Sequence, residues 1–144
     1  MNIHATCIDI HGHGVLLRGP SGSGKSDLAL RLLDQGARLV ADDQTLLSVE
    51  EGRLRACPPA ATAGLIEVRG IGIIRQPHLT QTMIRLVIDL CPSDQIERLP
   101  QPYHVVLCDL CLPGWRLHAF EVSAPQKVRL AVQAVTGDNY SYDK

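Results

Sequence analysis

Aromatic residues are scarce in this sequence of 144 residues, where they account for 3% of the chain and include one phenylalanine and one tryptophan. Positive charge is not in excess either, because the formal net charge is -1 at pH 7. Few aromatic side chains leave little surface for stacking bases, and a chain without a basic tract lacks the electrostatic footprint of a nucleic-acid-binding protein. The composition therefore predicts no nucleic-acid partner and an aliphatic core, which is common in α/β folds.

Long apolar segments are also lacking. The sequence contains no apolar run of transmembrane length, and polar residues interrupt its first fourteen positions too early for a cleavable secretory pattern. The cysteines number five, an odd count that does not suit a disulfide framework. We therefore expect a cytoplasmic protein with reduced thiols and no membrane partner.

The length of the chain bounds its organisation. A chain of 144 residues can form one compact domain with a real core but leaves little room for a second. We expect that domain to span residues 1–137 and the polar residues 138–144 to form a flexible tail.

The sequence does contain one strong motif, GPSGSGKS at residues 19–26, which matches the phosphate-binding loop pattern G-x-x-x-x-G-K-[ST]. A β-branched apolar run precedes the motif, and the leucines that follow it share one helical stripe that Gly36 is well placed to end. The glycines let backbone N–H groups converge on phosphate oxygens, Lys25 would reach the β- and γ-phosphates, and the Ser26 hydroxyl would bind Mg²⁺. We therefore predict ATP and Mg²⁺ as ligands, with these nucleotide-binding residues: Gly19, Pro20, Ser21, Gly22, Ser23, Gly24, Lys25 and Ser26.

The remaining segments predict alternating strands and helices. A hairpin over residues 3–18 delivers the loop, and a helix follows it. Pro113-Gly114 predicts a turn, and Pro125 fits the first turn of a last helix. Further strands are predicted at residues 38–43, 44–49, 53–57, 66–74, 82–90, 103–110 and 115–122, with the last helix at 125–135.

Two strands end in carboxylates that could serve phosphoryl transfer. Asp42-Asp43 follow RLVA, and Asp89 lies within MIRLVIDL. The carboxyl ends of strands face the ligand crevice in open α/β sheets. One member of the pair could hold the metal while its like-charged neighbour, with a raised pKa, acts as the base. Periodicity alone does not choose between the pair and Asp89.

Four motifs in order carry a family resemblance. They are His4 within NIHATCIDIHGHGVLL, the loop GPSGSGKS, the acidic pair in RLVADD, and GLIEVRGIGII at residues 64–74. Together they resemble the catalytic domain of HPr kinase/phosphorylase. That family phosphorylates a serine of HPr, the phosphocarrier of the bacterial sugar phosphotransferase system, and can remove the phosphate by phosphorolysis. The resemblance implies a P-loop kinase domain of the HPr kinase/phosphoenolpyruvate carboxykinase-like type, with a mixed β-sheet and flanking helices.

The resemblance also implies catalytic roles. Asp42 would be the general base toward the serine hydroxyl, and the acid in the reverse reaction. Asp43 would orient the site together with His4, although the choice between Asp42 and Asp43 as the base stays open. Lys25 would neutralise the transferring phosphoryl group, and Asp89 would be an ordinary strand residue.

Metal binding and a further cation follow from the same resemblance. Ser26 and Glu67 would support Mg²⁺. Arg69, next to Gly70, would place a positive charge near the transferring group or the leaving phosphate.

Partners are implied in the same way. The chain would be a short form of the family without the amino-terminal domain of longer members, would act on HPr, and would assemble into a homo-oligomer, a hexamer by resemblance. ATP is the expected donor, and pyrophosphate or phosphate could also be used. A P-loop kinase for a small molecule and a nucleotide-binding regulator with little catalysis are the alternative functions.

One other motif is Cys108-x-x-Cys111, which in a redox protein would open a helix after a strand. Because Pro113-Gly114 follow instead, we interpret these residues as strand-end thiols and not as a redox or zinc site.

Overall fold

The computed structural model describes residues 1–137, so the expected tail at 138–144 lies outside the described residues. Within the described range the chain forms ten strands and two α-helices. In chain order these are β1 (Asn2–Ile10), β2 (His13–Arg18), α1 (Lys25–Asp34), β3 (Arg38–Ala41), β4 (Gln44–Glu50), β5 (Arg53–Cys57), β6 (Leu65–Val68), β7 (Gly72–Arg75), β8 (Thr82–Leu90), β9 (Tyr103–Leu107), β10 (Leu110–Leu117) and α2 (Ala124–Thr136). The α/β class and the mixed sheet predicted from the sequence are confirmed.

Eight strands form one sheet whose central part has the order β3-β1-β2-β8-β10-β9. The pairs β2–β8 and β8–β10 are parallel, and the other pairs in this part are antiparallel. Strands β4 and β5 link the first half of β1 to the first residues of β8. With these directions, β2, β3, β8 and β10 all end at one edge of the sheet, where a ligand crevice is expected.

The core lies on both faces of this sheet. The helices α1 and α2 cover one face through an aliphatic cluster that includes Leu17, Leu28 and Val132. A second cluster on the opposite face includes Leu16 and Leu54. Since successive strand residues point to opposite faces, Leu16 and Leu17 join different clusters. This two-sided burial explains why β2 and β8 read as nearly continuous apolar runs.

The ends of α1 confirm the local sequence signals. The helix begins directly after Gly24, and Gly36 follows it in the left-handed region, with φ 103°. The Gly36 N–H donates to the Leu33 carbonyl at 3.1 Å and the Ala37 N–H to the Leu32 carbonyl at 3.0 Å. These two bonds form a Schellman motif, which satisfies carbonyl groups that the helix end leaves without partners.

The second helix differs slightly from the prediction. Ser123 is the cap residue, so α2 begins at Ala124 and Pro125 occupies the second helical position instead of the first.

No helix in residues 1–137 has both the length and the apolar character needed to cross a membrane.

The predicted turn at Pro113-Gly114 is wrong. The chain turns instead at Cys108 and Asp109, whose φ angles are 51° and 63°, and β10 runs straight through Pro113-Gly114. Pro113 is tolerated because β10 pairs with β8 only from Gly114 onward. A Cβ atom on Gly114 would lie 2.6 Å from the ring of Tyr103, so glycine lets that ring pack across the strand. Tertiary packing therefore overrides the local Pro-Gly signal.

The single strand predicted over residues 66–74 is also wrong, because this segment forms the hairpin of β6 and β7. Gly70 and Gly72 have φ angles of 88° and 123°, and within residues 1–137 no atom beyond the adjacent residues lies within 4 Å of a Cβ built on either glycine. These glycines therefore serve the backbone conformation of the turn and not a close approach between segments.

Candidate active site

A cavity of about 390 Å³ opens at the edge of the sheet where β2, β3 and β10 end. The phosphate-binding loop and the first turns of α1 form its floor. Asp43, Glu67 and Arg69 line one part of the wall, and Phe120 lines another. Most of the residues predicted for the site therefore meet around one space.

The loop between β2 and α1 has the conformation that a phosphate site needs. Gly22 and Gly24 have φ angles of 83° and 99°, and a Cβ on Gly24 would lie 2.7 Å from the Ala119 side chain. Another side chain at Gly24 would therefore meet both backbone strain and a clash. With glycine there, the amides at the start of α1, which have no partner within the helix, can face a phosphate group.

Two polar side chains in the loop are buried. The Lys25 ammonium, only 7% exposed as a residue, donates to the carbonyl oxygens of Gly19 at 2.8 Å and Pro20 at 3.2 Å. The buried Ser23 hydroxyl has no hydrogen-bond partner among the described residues. Ser23 does not line the cavity, whereas Lys25 does. The present partners of the Lys25 ammonium are uncharged carbonyl groups, and phosphate oxygens would accept stronger, charge-assisted hydrogen bonds from it. The residues present therefore fit a phosphate chain.

Asp42 is buried, with 9% of its surface exposed, and its carboxylate accepts three hydrogen bonds. The donors are the Ser26 hydroxyl at 2.6 Å, the Thr6 hydroxyl at 3.0 Å and the Glu67 backbone N–H at 3.0 Å. These donors come from α1, β1 and β6. Asp42 therefore connects three elements around the loop and fixes the Ser26 hydroxyl.

Asp43 has a different environment although it is the next residue. Its φ of 71° lies in the left-handed region, and it lines the cavity with its side chain 61% exposed. Its carboxylate accepts a bond of 2.6 Å from His4 Nε2, and its backbone N–H donates to the Thr6 hydroxyl at 3.2 Å. Asp43 is therefore the member of the pair whose carboxylate is accessible from the cavity.

The hairpin of β6 and β7 contributes the predicted Glu67 and Arg69, and both side chains line the cavity. The backbone bond from Glu67 to Asp42 holds this hairpin against the end of β3. The structure thus brings Ser21, Gly22, Gly24, Lys25, Ser26, Asp43, Glu67 and Arg69 to one cavity. Asp42 and His4 do not line the cavity, but each is hydrogen-bonded to a residue that does: Asp42 to Ser26, and His4 to Asp43. Their roles stay predictions.

Asp89 does not line the cavity. Its carboxylate accepts two bonds from the Arg18 guanidinium, at 2.8 and 3.2 Å, and one from the Tyr103 hydroxyl at 2.9 Å. Arg116 lies over the Tyr103 ring at 4.6 Å from its centroid. Arg18 immediately precedes the phosphate-binding loop, so this network fixes the start of the loop. The sequence contained no signal for the pairing, because the partners are far apart along the chain.

We predict that Tyr103→Phe changes the stability of the protein at high pH. Burial, and next the hydrogen bond to Asp89, raise the pKa of Tyr103 above its ordinary value of 10.0. The folded state thus holds this proton more tightly than the unfolded state. The resulting contribution is fully present below pH 10 and is lost as the pH rises through the folded-state pKa.

Urea denaturation at several pH values measures this effect. Near pH 7 we expect Tyr103→Phe to lower the free energy of unfolding by about 1 kcal/mol, the usual value of one hydrogen bond. Above pH 10 the parent should lose stability more steeply than the variant. Parallel curves for the two proteins would contradict the assigned cause.

Phe120 was not recognised as a site residue, because the sequence placed it in a predicted strand over residues 115–122. The strand β10 ends at Leu117, and Phe120 lies in the connection to α2 at the wall of the cavity. Its position after the carboxyl end of a strand is the signal that could have found it.

The Cys108-x-x-Cys111 motif spans the turn between β9 and β10. The Cys108 thiol lies 3.7 Å from the Met1 sulfur, and Cys111 is exposed. Neither residue lines the cavity.

The fold and the site define an α/β domain of the phosphate-binding-loop class. The model of the family described as HPr Serine kinase C-terminal domain matches residues 1–102. The match covers more than half of the chain, and the chain belongs to this family.

Individual relatives agree with the family assignment. The chain is 47% identical over 77 residues to the HPr kinase/phosphorylase of Clostridium tetani, covering 54% of this chain and 25% of that protein. It is 43% identical over 108 residues to the HPr kinase/phosphorylase of a Geobacillus strain, covering 67% of this chain and 35% of that protein. The chain thus spans about a quarter to a third of the length of these curated relatives.

A solved structure extends the likeness to most of the chain. The Hpr(Ser) kinase/phosphatase from Coxiella burnetii superimposes with a TM-score of 0.83 at 27% identity. The match covers 93% of this chain and 89% of that one. The resemblance drawn from the four motifs is therefore confirmed.

Proposed function

We propose that this domain is an ATP-dependent protein kinase that phosphorylates a serine of HPr, and that it also runs the reverse phosphorolysis. The observation that carries the proposal is the Asp43 carboxylate, 61% exposed at the wall of the cavity that Lys25 and Ser26 also line. A hydroxyl group that accepts the phosphoryl group at this wall would lie next to both a base and the phosphate chain bound by the loop. The names of the similar proteins support HPr as the acceptor.

The two aspartates fit different tasks. Asp42 is buried, and its carboxylate already accepts three hydrogen bonds from donors of its own chain. Asp43 has one side-chain partner among residues 1–137, His4, and it lines the cavity. A general base must come within hydrogen-bond reach of the proton that it removes. We therefore assign the base to Asp43 and the positioning of Ser26 to Asp42.

The reaction then follows from these positions. The serine oxygen of HPr forms a bond to the γ-phosphorus of ATP, its proton passes to the Asp43 carboxylate, and the bond from that phosphorus to the β–γ bridging oxygen breaks to release ADP. The Lys25 ammonium and the backbone N–H groups of the loop stabilise the negative charge that shifts during transfer. His4 orients the Asp43 carboxylate. In the reverse direction phosphate replaces ADP as the phosphoryl acceptor, and Asp43 returns the proton to the serine oxygen.

The predicted metal site suits this chemistry. Ser26 and Glu67 would hold Mg²⁺, which when bound supplies charge neutralisation for the phosphate groups. Hydroxyl and carboxylate oxygens are the ligands that this cation prefers. Arg69, on the same hairpin as Glu67, would add a further positive charge at that wall.

Two further expectations belong to the same proposal. A reaction that consumes ATP and modifies HPr would run in the cytoplasm. The resemblance to the family also supports a homo-oligomer, and sedimentation at micromolar concentration tests it, since a monomer there would contradict this part.

Intact mass spectrometry of HPr tests the activity. HPr is incubated with this protein, Mg²⁺ and ATP, next to an HPr whose target serine is replaced by alanine. We expect one added phosphate on HPr and none on the alanine control. ATP binding without a mass increase would instead favour a small-molecule kinase or a nucleotide-binding regulator.

A further inference from the structure

Phe120 is the one phenylalanine of the chain, and it lies exposed at the wall of the cavity. It is 57% exposed, although it lines the cavity together with the phosphate-binding loop. Its ring lies against the loop, because a Cβ built on Gly24 would be 3.0 Å from the ring tip. A large apolar ring that remains exposed next to a ligand site indicates a contact with the ligand.

The segment that carries Phe120 is fixed on both sides. The Arg31 guanidinium of α1 donates to the carbonyl oxygens of Ala119 and Glu121, the latter at 3.2 Å. His118 is bonded to the Cys91 carbonyl at 3.0 Å, and its ring meets the Phe120 ring edge-on at 5.8 Å between centroids. The ring is thus held before a ligand binds, which lowers the entropy cost of a contact.

The sheet topology places Phe120 and the acidic residues on opposite sides of the loop. The loop follows β2, Asp43 follows β3 on one side of β2, and Phe120 follows β10 on the other side. The hairpin with Glu67 belongs to the β3 side, since it is bonded to Asp42. The phosphate site therefore has a catalytic side and an aromatic side.

A nucleoside triphosphate bound across this loop has only one productive direction. The γ-phosphoryl group must lie on the side of Asp43, where the acceptor hydroxyl is deprotonated. The nucleoside end then lies on the side of Phe120. We propose that the Phe120 ring stacks against the base of the nucleotide donor, an inference that rests on the proposed kinase function.

The chemistry of stacking predicts which ligands depend on Phe120. Every base has a π-face, so stacking adds affinity without choosing strongly between bases. ATP, ADP and GTP should all depend on the ring. Pyrophosphate has no base and should not depend on it.

Isothermal titration calorimetry with the whole chain and Mg²⁺ tests this inference. The ligands are ATP, GTP and pyrophosphate, and the variants are Phe120→Ala and Phe120→Trp. Val122→Ala is the matched control, because Val122 is 93% exposed nearby and does not line the cavity. Thermal unfolding midpoints check that every variant is folded.

We expect Phe120→Ala to weaken ATP and GTP binding roughly tenfold and to leave pyrophosphate binding unchanged, as the loss of one stacked base predicts. Phe120→Trp should retain nucleotide affinity, and Val122→Ala should match the parent for every ligand. Unchanged ATP affinity in Phe120→Ala, or an equal loss for pyrophosphate, would overturn the stacking role while leaving the proposed kinase function intact. A parent protein that binds neither ATP nor pyrophosphate would overturn both proposals.

Discussion

Asp43→Asn is expected to slow phosphoryl transfer from ATP to HPr by about 10²- to 10⁴-fold, the range that a positioned general base usually contributes. The amide has nearly the shape of the carboxylate but cannot take the serine proton. The side chain is 61% exposed, and its one side-chain partner in the described part of the chain is His4. Since exposed ion pairs contribute about 0–1 kcal/mol, the free energy of unfolding should hardly change. Steady-state rates with HPr and urea denaturation measure the two quantities separately.

Asp42→Asn is the matched control for that experiment, because it makes the same chemical change one residue away. Its carboxylate accepts bonds from Thr6, Ser26 and the Glu67 backbone, and the amide nitrogen of asparagine cannot accept a bond. At least one donor would lose its acceptor in a buried place, which costs about 1–3 kcal/mol. We therefore expect Asp42→Asn to lower the free energy of unfolding as well as the rate.

The pair of variants also decides which aspartate is the base. Full activity in Asp43→Asn would show that Asp43 is not the general base. If Asp42→Asn then lost activity with its stability intact, the base would be Asp42, as the family resemblance alone suggested.

The sequence predicted the segment around the phosphate-binding loop well, because its signals are local. The hairpin over residues 3–18, the loop pattern and the Schellman glycine Gly36 each depend on residues within a few positions, although the turn is shorter than its sequence suggested because β2 already begins at His13. Strands β2 and β8 are buried on both faces, and their nearly continuous apolar sequences are typical of such strands.

The sequence placed Asp42 and Asp43 at the end of a strand but could not separate them. Their difference depends on the left-handed φ of Asp43 and on donors at Thr6 and Glu67, which are 36 and 25 residues away from Asp42. These residues are too far apart along the chain for a local sequence pattern to predict the contacts. The same limit applies to Asp89, whose partner Arg18 is 71 residues away.

The last third of the described chain was predicted less well, because packing there acts against local propensity. Pro113-Gly114 carry a strong turn signal, yet both residues lie within β10. The Tyr103 ring packs directly against Gly114, in the space that a Cβ atom would occupy. The turn lies instead at Cys108-Asp109, and β10 ends at Leu117. That early end places Phe120 in a connection at the cavity, where the sequence had predicted a strand.

The Lys25 ammonium is expected to be the group on which phosphate binding depends most. It is buried and is the charged side chain of the loop itself, with loop carbonyls of Gly19 and Pro20 as its present partners. A bound phosphate chain would give it stronger, charge-assisted bonds. Lys25→Met keeps a long unbranched side chain and removes its charge. We expect this variant to slow transfer to HPr by about 10²- to 10³-fold, as for the loss of one group that stabilises transition-state charge.

Ligand-induced stabilisation measures the binding part of this effect directly. A ligand that binds only the folded state raises the free energy of unfolding by RT ln(1 + [L]/Kd), so the parent's unfolding midpoint should rise with added pyrophosphate and Mg²⁺. Lys25→Met should show little or no rise at the same concentrations. Arg53→Gln removes an equal charge at an exposed position on β5, away from the cavity, and should respond as the parent does. If Lys25→Met were stabilised as strongly as Arg53→Gln, then the loop amides alone would hold the phosphate. In that case Lys25 would act only during transfer, and its effect would appear in the rate and not in the affinity.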